Sequence, residues 1–275
     1  MNGGECTFFG SAPTGAPSVS VFGTGTPIGN GRLNIELVSG ATVAIGSLEG
    51  NGWVQLIHGT QMIGTNNRST EFDGSILSGG SYMGSLTKVG TGTLTLTGAN
   101  TYNGVTTILS GALKVNNTAG SGTGTAAVKV SGGTLSGRGI ISGKVTVGTG
   151  SGAGGVIAPS QGASNPTTIT LQNMLTFKAD GSYLYRLNTN KATADQVIAN
   201  GVKIESGAQF NFKTVANKKL TSGTVFTAIS NTATTPINGT FGNLADGSTV
   251  TVGVNKLLVS YSGGDGNDLT LTVVP

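Results

Sequence analysis

Between Gly84 and Val115 the chain reads GSLTKVGTGTLTLTGANTYNGVTTILSGALKV, and this stretch constrains the fold more than any other. Leu94 and Leu96 alternate with Thr93, Thr95 and Thr97, the period of two of a strand with β-branched residues on its outer face. Gly98-Ala99-Asn100-Thr101 breaks that strand. Tyr102 and the Asn103-Gly104 turn lead into a second strand over residues 105–108, and after Ser110-Gly111 a third covers 112–115. Three short strands joined by Gly, Asn and Ser corners, with no helix between them, describe one coil of a β-solenoid.

The same residues carry a resemblance. GTGTLTLTGANTYNGVTTILSGALKV resembles the autotransporter-associated β-strand repeat, also called the passenger-associated transport repeat. Its pattern, G-x-G-T-L-T-L-x-G-x-N-T-Y-x-G-x-T-x with a closing G-x-L-x-V strand, is met by Gly90, Gly92, Thr93, Leu94, Thr95, Leu96, Gly98, Asn100, Thr101, Tyr102, Gly104, Thr106, Gly111, Leu113 and Val115. Val105 departs from it, standing where the family usually has a second glycine. The resemblance implies an all-β, right-handed parallel β-helix on the outside of a bacterium, and no particular partner.

Composition agrees with a solenoid. Of 275 residues 48 are glycine, while charged residues make up 9% and aromatics 5%. So few aromatics cannot fill a wide core, but stacked Val, Ile, Leu and Ala can fill a thin one repeated along the chain. The net charge of +4 is dispersed, and Lys218-Lys219 is the only adjacent basic pair, which argues against nucleic-acid binding. A weak attraction to acidic polysaccharide at low salt stays open. Cys6 is the single cysteine, so no internal disulfide forms. Residues 1–18 show neither a basic start nor an apolar run; a removed export signal and a fragment of a longer protein both fit this. No stretch is long and apolar enough for a transmembrane helix, so no membrane insertion is expected of this segment.

Three regions follow along the chain. Residues 1–18, with Pro13 and Pro17, read as an irregular leader. Residues 19–166 read as solenoid coils, including the repeat at 84–115. Leu96, Val115, Val130 and Val147, taken as coil markers, are spaced by about 19, 15 and 17 residues. In residues 167–275 strands lengthen and aromatics increase (Phe177, Tyr183, Tyr185, Phe210, Phe212, Phe226), which reads as final coils and an antiparallel β cap over the exposed end. The segments around Ala194-Asp195-Gln196-Val197, Gly239-Thr240-Phe241 and Gly263-Gly264-Asp265-Gly266 also resemble the closing part of autotransporter-type proteins.

Chemistry is sparse, and no enzyme is expected. His58 is the sole histidine, at a strand end with no acid nearby in sequence, so neither a nucleophilic triad nor a zinc site assembles around it. Asp73, Asp180, Asp195, Asp246, Asp265 and Asp268 are scattered, mostly at Gly-flanked corners where Asp forms turns. Gly263-Gly264-Asp265-Gly266-Asn267-Asp268 fits the first six positions of the calcium nonapeptide G-G-x-G-x-D-x-U-x, but Thr270 falls on its apolar position. If any metal binds, Asp265 and Asp268 are the ligands; otherwise no cofactor is expected. Exposed threonine rows and Tyr102 are candidates for glycan contact. The residues that define the structural repeat are Gly90, Gly92, Leu94, Leu96, Gly98, Asn100, Tyr102, Gly104, Leu113 and Val115.

The expectation from sequence is a secreted or surface-displayed bacterial β-solenoid acting as a stalk, adhesin or matrix component. A self-assembling fibre subunit stacked through its N-terminal end, and a glycan-binding or polysaccharide-active β-helix, are the alternatives.

Overall fold

In the computed structural model the described residues are 5–9, 18–21, 32–36, 40–78, 83–160 and 165–275. Every regular element among them is a strand. The chain divides into two compact units, residues 1–134 with 139–143, and residues 135–138 with 144–275.

In the first unit the chain visits three parallel sheets in turn. One holds Glu5–Phe9, Arg32–Glu36, Trp53–Leu56 and Ser75–Ser78. The next holds Thr42–Ile45, Thr60–Ile63, Ser85–Lys88, Thr106–Ile108 and Val128–Val130. The third holds Ser18–Val21, Ser47–Gly50, Thr70–Phe72, Thr93–Leu96 and Ala112–Val115. Register partners lie between 18 residues apart, as Thr42↔Thr60, and 29, as Ser18↔Ser47. Alternate residues point inward and stack into ladders, such as Leu33–Val54–Ile76 and Phe72–Leu96–Val115, all at most 2% exposed. Each inward leucine or isoleucine so buried contributes about 1.5–3 kcal/mol. This is the parallel β-helix expected from sequence.

The second unit repeats the scheme with longer coils. Its three parallel stacks are Val145–Val147, Leu175–Phe177 and Val202–Ile204; Val156–Ile157, Ser182–Asn188 and Gln209–Val215; and Thr168–Leu171, Gln196–Ala199 and Val225–Asn231. Aromatic side chains then fill the wider interior. Phe177, Tyr183 and Tyr185 are fully buried, and Phe241 packs edge-on against Phe177 (4.9 Å) and Phe210 (5.4 Å). Beyond Val225–Asn231 the pairing turns antiparallel, through Asp268–Val274 to Asn255–Gly263 and Thr249–Val252.

Three details differ from the sequence reading. Residues 5–9, inside the expected irregular leader, form a strand in parallel register with Arg32–Glu36; the breaking prolines Pro13 and Pro17 lie beyond it. Ala112–Val115 is not a third side of the coil but stacks directly on Thr93–Leu96, as Leu94↔Leu113 and Leu96↔Val115. The third side is the strandless Asn100–Tyr102 segment, whose backbone still bonds its neighbours, Thr101 N–H to Ile76 O (2.9 Å) and Asn100 N–H to Ser121 O (2.7 Å). Finally, Val130 pairs with Ile108 on another sheet, so the step from Val115 to Val130 is a passage between sheets, not a coil.

Candidate functional site

The repeat is assembled from its corners and its interior. Gly90 turns with φ +70°, and a Cβ there would collide with the carbonyl oxygen of Gly64 in the preceding coil. At Gly98 a Cβ would meet the carbonyl oxygen of Gly74 in the same way. Gly92 and Gly104 lie equally close to the backbone of the coil before them. Leu94, Leu96, Leu113 and Val115 form the inward ladders between these corners. Asn100, 2% exposed, bridges coils with its amide: Oδ1 accepts from Ile76 N–H (2.8 Å) and Nδ2 donates to Gly122 O (2.6 Å). The ten repeat residues are thus spread over two stacked coils, as corners, inward ladders and the strandless side.

Tyr102 is placed differently from the glycan-contact expectation. It is fully buried, and its hydroxyl shares a 2.5 Å hydrogen bond with Thr106 Oγ1, which itself donates to Thr123 O (3.3 Å). Burial raises its pKa, with the Thr106 bond acting weakly against it. The ring fills the side of the coil that lacks a strand.

Lys88 is the residue that motif reading passed over. It occupies an inward ladder position between its register partners Ile63 and Ile108 and is 1% exposed. Its stem takes the place of an aliphatic side chain, and Nζ donates to the carbonyls of Val89 (2.5 Å), Gly90 (3.2 Å) and Ser110 (3.5 Å). No ion pair to it is present among the described residues. Burial pushes the amine down to about 8. The signal was in the sequence: Leu86 and Lys88 share a strand face, and Leu86 is fully inward.

Most of the aspartates serve backbone. Asp180 accepts from Gly150 N–H (2.7 Å), Thr149 N–H (2.8 Å) and the Thr149 hydroxyl (2.8 Å). These bonds outweigh partial burial and hold its carboxyl below the usual range. Asp195 is 1% exposed and clamps Ser160 (2.8 Å), Thr167 N–H (2.9 Å) and Arg186 N–H (3.2 Å); burial raises its pKa against those bonds. Asp246 accepts from Tyr261 N–H (2.9 Å), and Asp73 accepts from the Thr97 hydroxyl.

Asp268 Oδ1 accepts from Asn231 N–H (2.8 Å), and its pKa is raised by burial first and by the neighbouring charge of Asp265. Asp265 is exposed at the tip of the turn. Together they are two carboxylates, one already engaged with backbone, and no three of His, Cys, Asp and Glu come together among the described residues. His58 sits half-buried between Trp53–Leu56 and Thr60–Ile63. Lys219 and Lys256, both exposed, line a groove together with Leu220, Val254 and Val273.

Stacked parallel coils with corner glycines and inward aliphatic ladders define a β-helix repeat. Residues 86–115 match the model of the passenger-associated transport repeat. This match implies a secreted or surface-exposed protein of the autotransporter-passenger type. No curated protein matches the chain.

Proposed function

We propose that this chain is a structural part of a surface protein, a stalk or matrix element with no catalytic role. The observation that carries the reading is where the functional-looking side chains point. The repeat's Asn100 and Lys88 turn inward and bond backbone of adjacent coils, and Tyr102 turns inward to bond the Thr106 hydroxyl, so the repeat's chemistry is used to hold coils together. Each further coil extends such a stack by about 4.8 Å, the spacing between strands. A stack of nearest-neighbour contacts also folds coil by coil, which suits a chain that emerges unfolded at a cell surface.

An adhesin role is the second reading, favoured by Lys219 and Lys256 flanking one groove, an arrangement suited to an acidic polysaccharide. A glycan-array screen of the purified chain, with and without calcium, separates the two. Silence in both conditions is the expected result. Reproducible binding to acidic glycans would replace the stalk with an adhesin, and binding only with calcium, lost on Asp265→Asn with Asp268→Asn, would assign those two carboxylates as its ligands.

A further inference from the structure

At the end of the second unit, two of the three parallel stacks are closed by backbone. Val202–Ile204 is covered by Asn238, which accepts from Ile204 N–H (2.8 Å) and donates to Val202 O (3.0 Å). Val225–Asn231 is covered by the antiparallel strand Asp268–Val274. The third, Gln209–Val215, is paired along its whole length with Ser182–Asn188 on one side only.

Its other edge is half closed. In a parallel strand, alternate residues turn both N–H and C=O to the same neighbour. Gln209 N–H bonds Gly181 O and Val215 O accepts from Thr189 N–H, so the odd-numbered residues face Ser182–Asn188. Phe210, Phe212 and Thr214 therefore face away. Phe210 is satisfied by a side chain that imitates a strand: Asn243 Oδ1 accepts from its N–H (2.8 Å) and Nδ2 donates to its C=O (2.9 Å). Phe212 and Thr214 offer two donors and two acceptors that no described residue takes up. Phe212 is half-buried, Thr214 is exposed, and the Phe212 ring leans on Tyr185 at 5.8 Å.

The charge on this edge selects what can add to it. A second copy pairing antiparallel through Phe212 and Thr214 would centre on Lys213 and set two lysines directly opposite, with Cα atoms about 4.5 Å apart. Like charges there oppose pairing, and lysine is a common guard of open edges. Lys213 is exposed and forms no ion pair among the described residues, so a carboxylate opposite it converts the repulsion into attraction.

We infer that the Phe212–Thr214 edge binds an extended segment of a partner protein by strand addition, with an acidic side chain opposite Lys213 and apolar side chains covering Phe212. Asn243 closes the position beside it, so the segment docks over about three residues.

Hydrogen exchange on the isotope-labelled full chain tests this, using the blocked peptides TVEVT, TVQVT and TVKVT. The expected result is protection of the Phe212 and Thr214 amides by TVEVT, with the already paired Gln209 amide unchanged. TVEVT should bind about threefold more tightly than TVQVT, the scale of one cross-strand charge pair. Lys213→Glu, an exposed change, should reverse the order and favour TVKVT. Absence of protection by any peptide at millimolar concentration would overturn the inference, as would binding indifferent to the central charge. Protection that grows with protein concentration in the absence of peptide would also overturn it, making a second copy the occupant.

Discussion

Lys88 shows how a single residue in a thin core sets a pH response. Its ammonium is buried in a ladder of Ile63 and Ile108, where desolvation costs more than three carbonyl contacts return, and its pKa falls from 10.5 to about 8. Between those values the unfolded chain holds more protons than the folded one, so stability rises with pH across that window. The slope from this residue is at most about 1.4 kcal/mol per unit; below pH 8 both states are charged and the whole cost is present. Urea unfolding at pH 7.5, 9 and 10 should therefore show rising stability that Lys88→Met flattens. Parallel profiles for the two chains would mean that the amine is not buried in its charged form. At this scale the sequence was readable where sterics speak locally. Gly90 and Gly98 sit at corners that cross a neighbouring backbone, and Leu94 and Leu96 sit on the inward face. Tyr102 was not readable, because whether a ring points in or out depends on a missing strand in its own coil.

For whole elements, existence was legible and partnership was not. Alternation in Thr93–Leu96 marks a strand without any tertiary information, but nothing in the sequence between Val115 and Val130 says that the chain has changed sheets. Parallel coils place partners 18 to 32 residues apart, and corner lengths absorb the difference. The Gln209–Val215 strand makes the same point at its outer edge, where Phe210 alone is closed, by a side chain from 33 residues further on. Asn243→Ala should leave the Phe210 N–H and C=O without partners and destabilise the second unit by about 1–3 kcal/mol. The Phe210 amide should then exchange nearly as fast as that of Phe212, while the Gln209 amide, bonded to Gly181 O, stays protected. An unchanged Phe210 rate would show that Asn243 does not cap this edge.

On the scale of the whole molecule, short strands and 48 glycines announce stacked coils, but composition does not announce where compactness divides. Aromatics increase after Thr167, whereas the units separate around residues 134–144, inside a stretch of uniformly Gly-rich, short-stranded sequence; stacking rather than texture sets that division. A molecule built from open-ended sheets has to control its edges or grow by them. The N-terminal end, the candidate for stacking in the fibre reading, falls largely outside the described residues. At the other end, Asn238 and Asp268–Val274 cover two stacks, and the charge of Lys213 guards what is left of the third. Removing that charge while keeping a strand-forming residue isolates its effect. Lys213→Thr should associate through Phe212 and Thr214 into a dimer closed by a two-fold axis, with four new backbone hydrogen bonds that use up this edge. Sedimentation velocity over a concentration series should show a dimer at roughly 100 μM or above for Lys213→Thr, a weak association for so short an edge. The unsubstituted chain should show no dimer protected at Phe212 and Thr214 over the same range. Equal association of both chains would mean that Lys213 does not guard the edge, and that assembly runs through another surface.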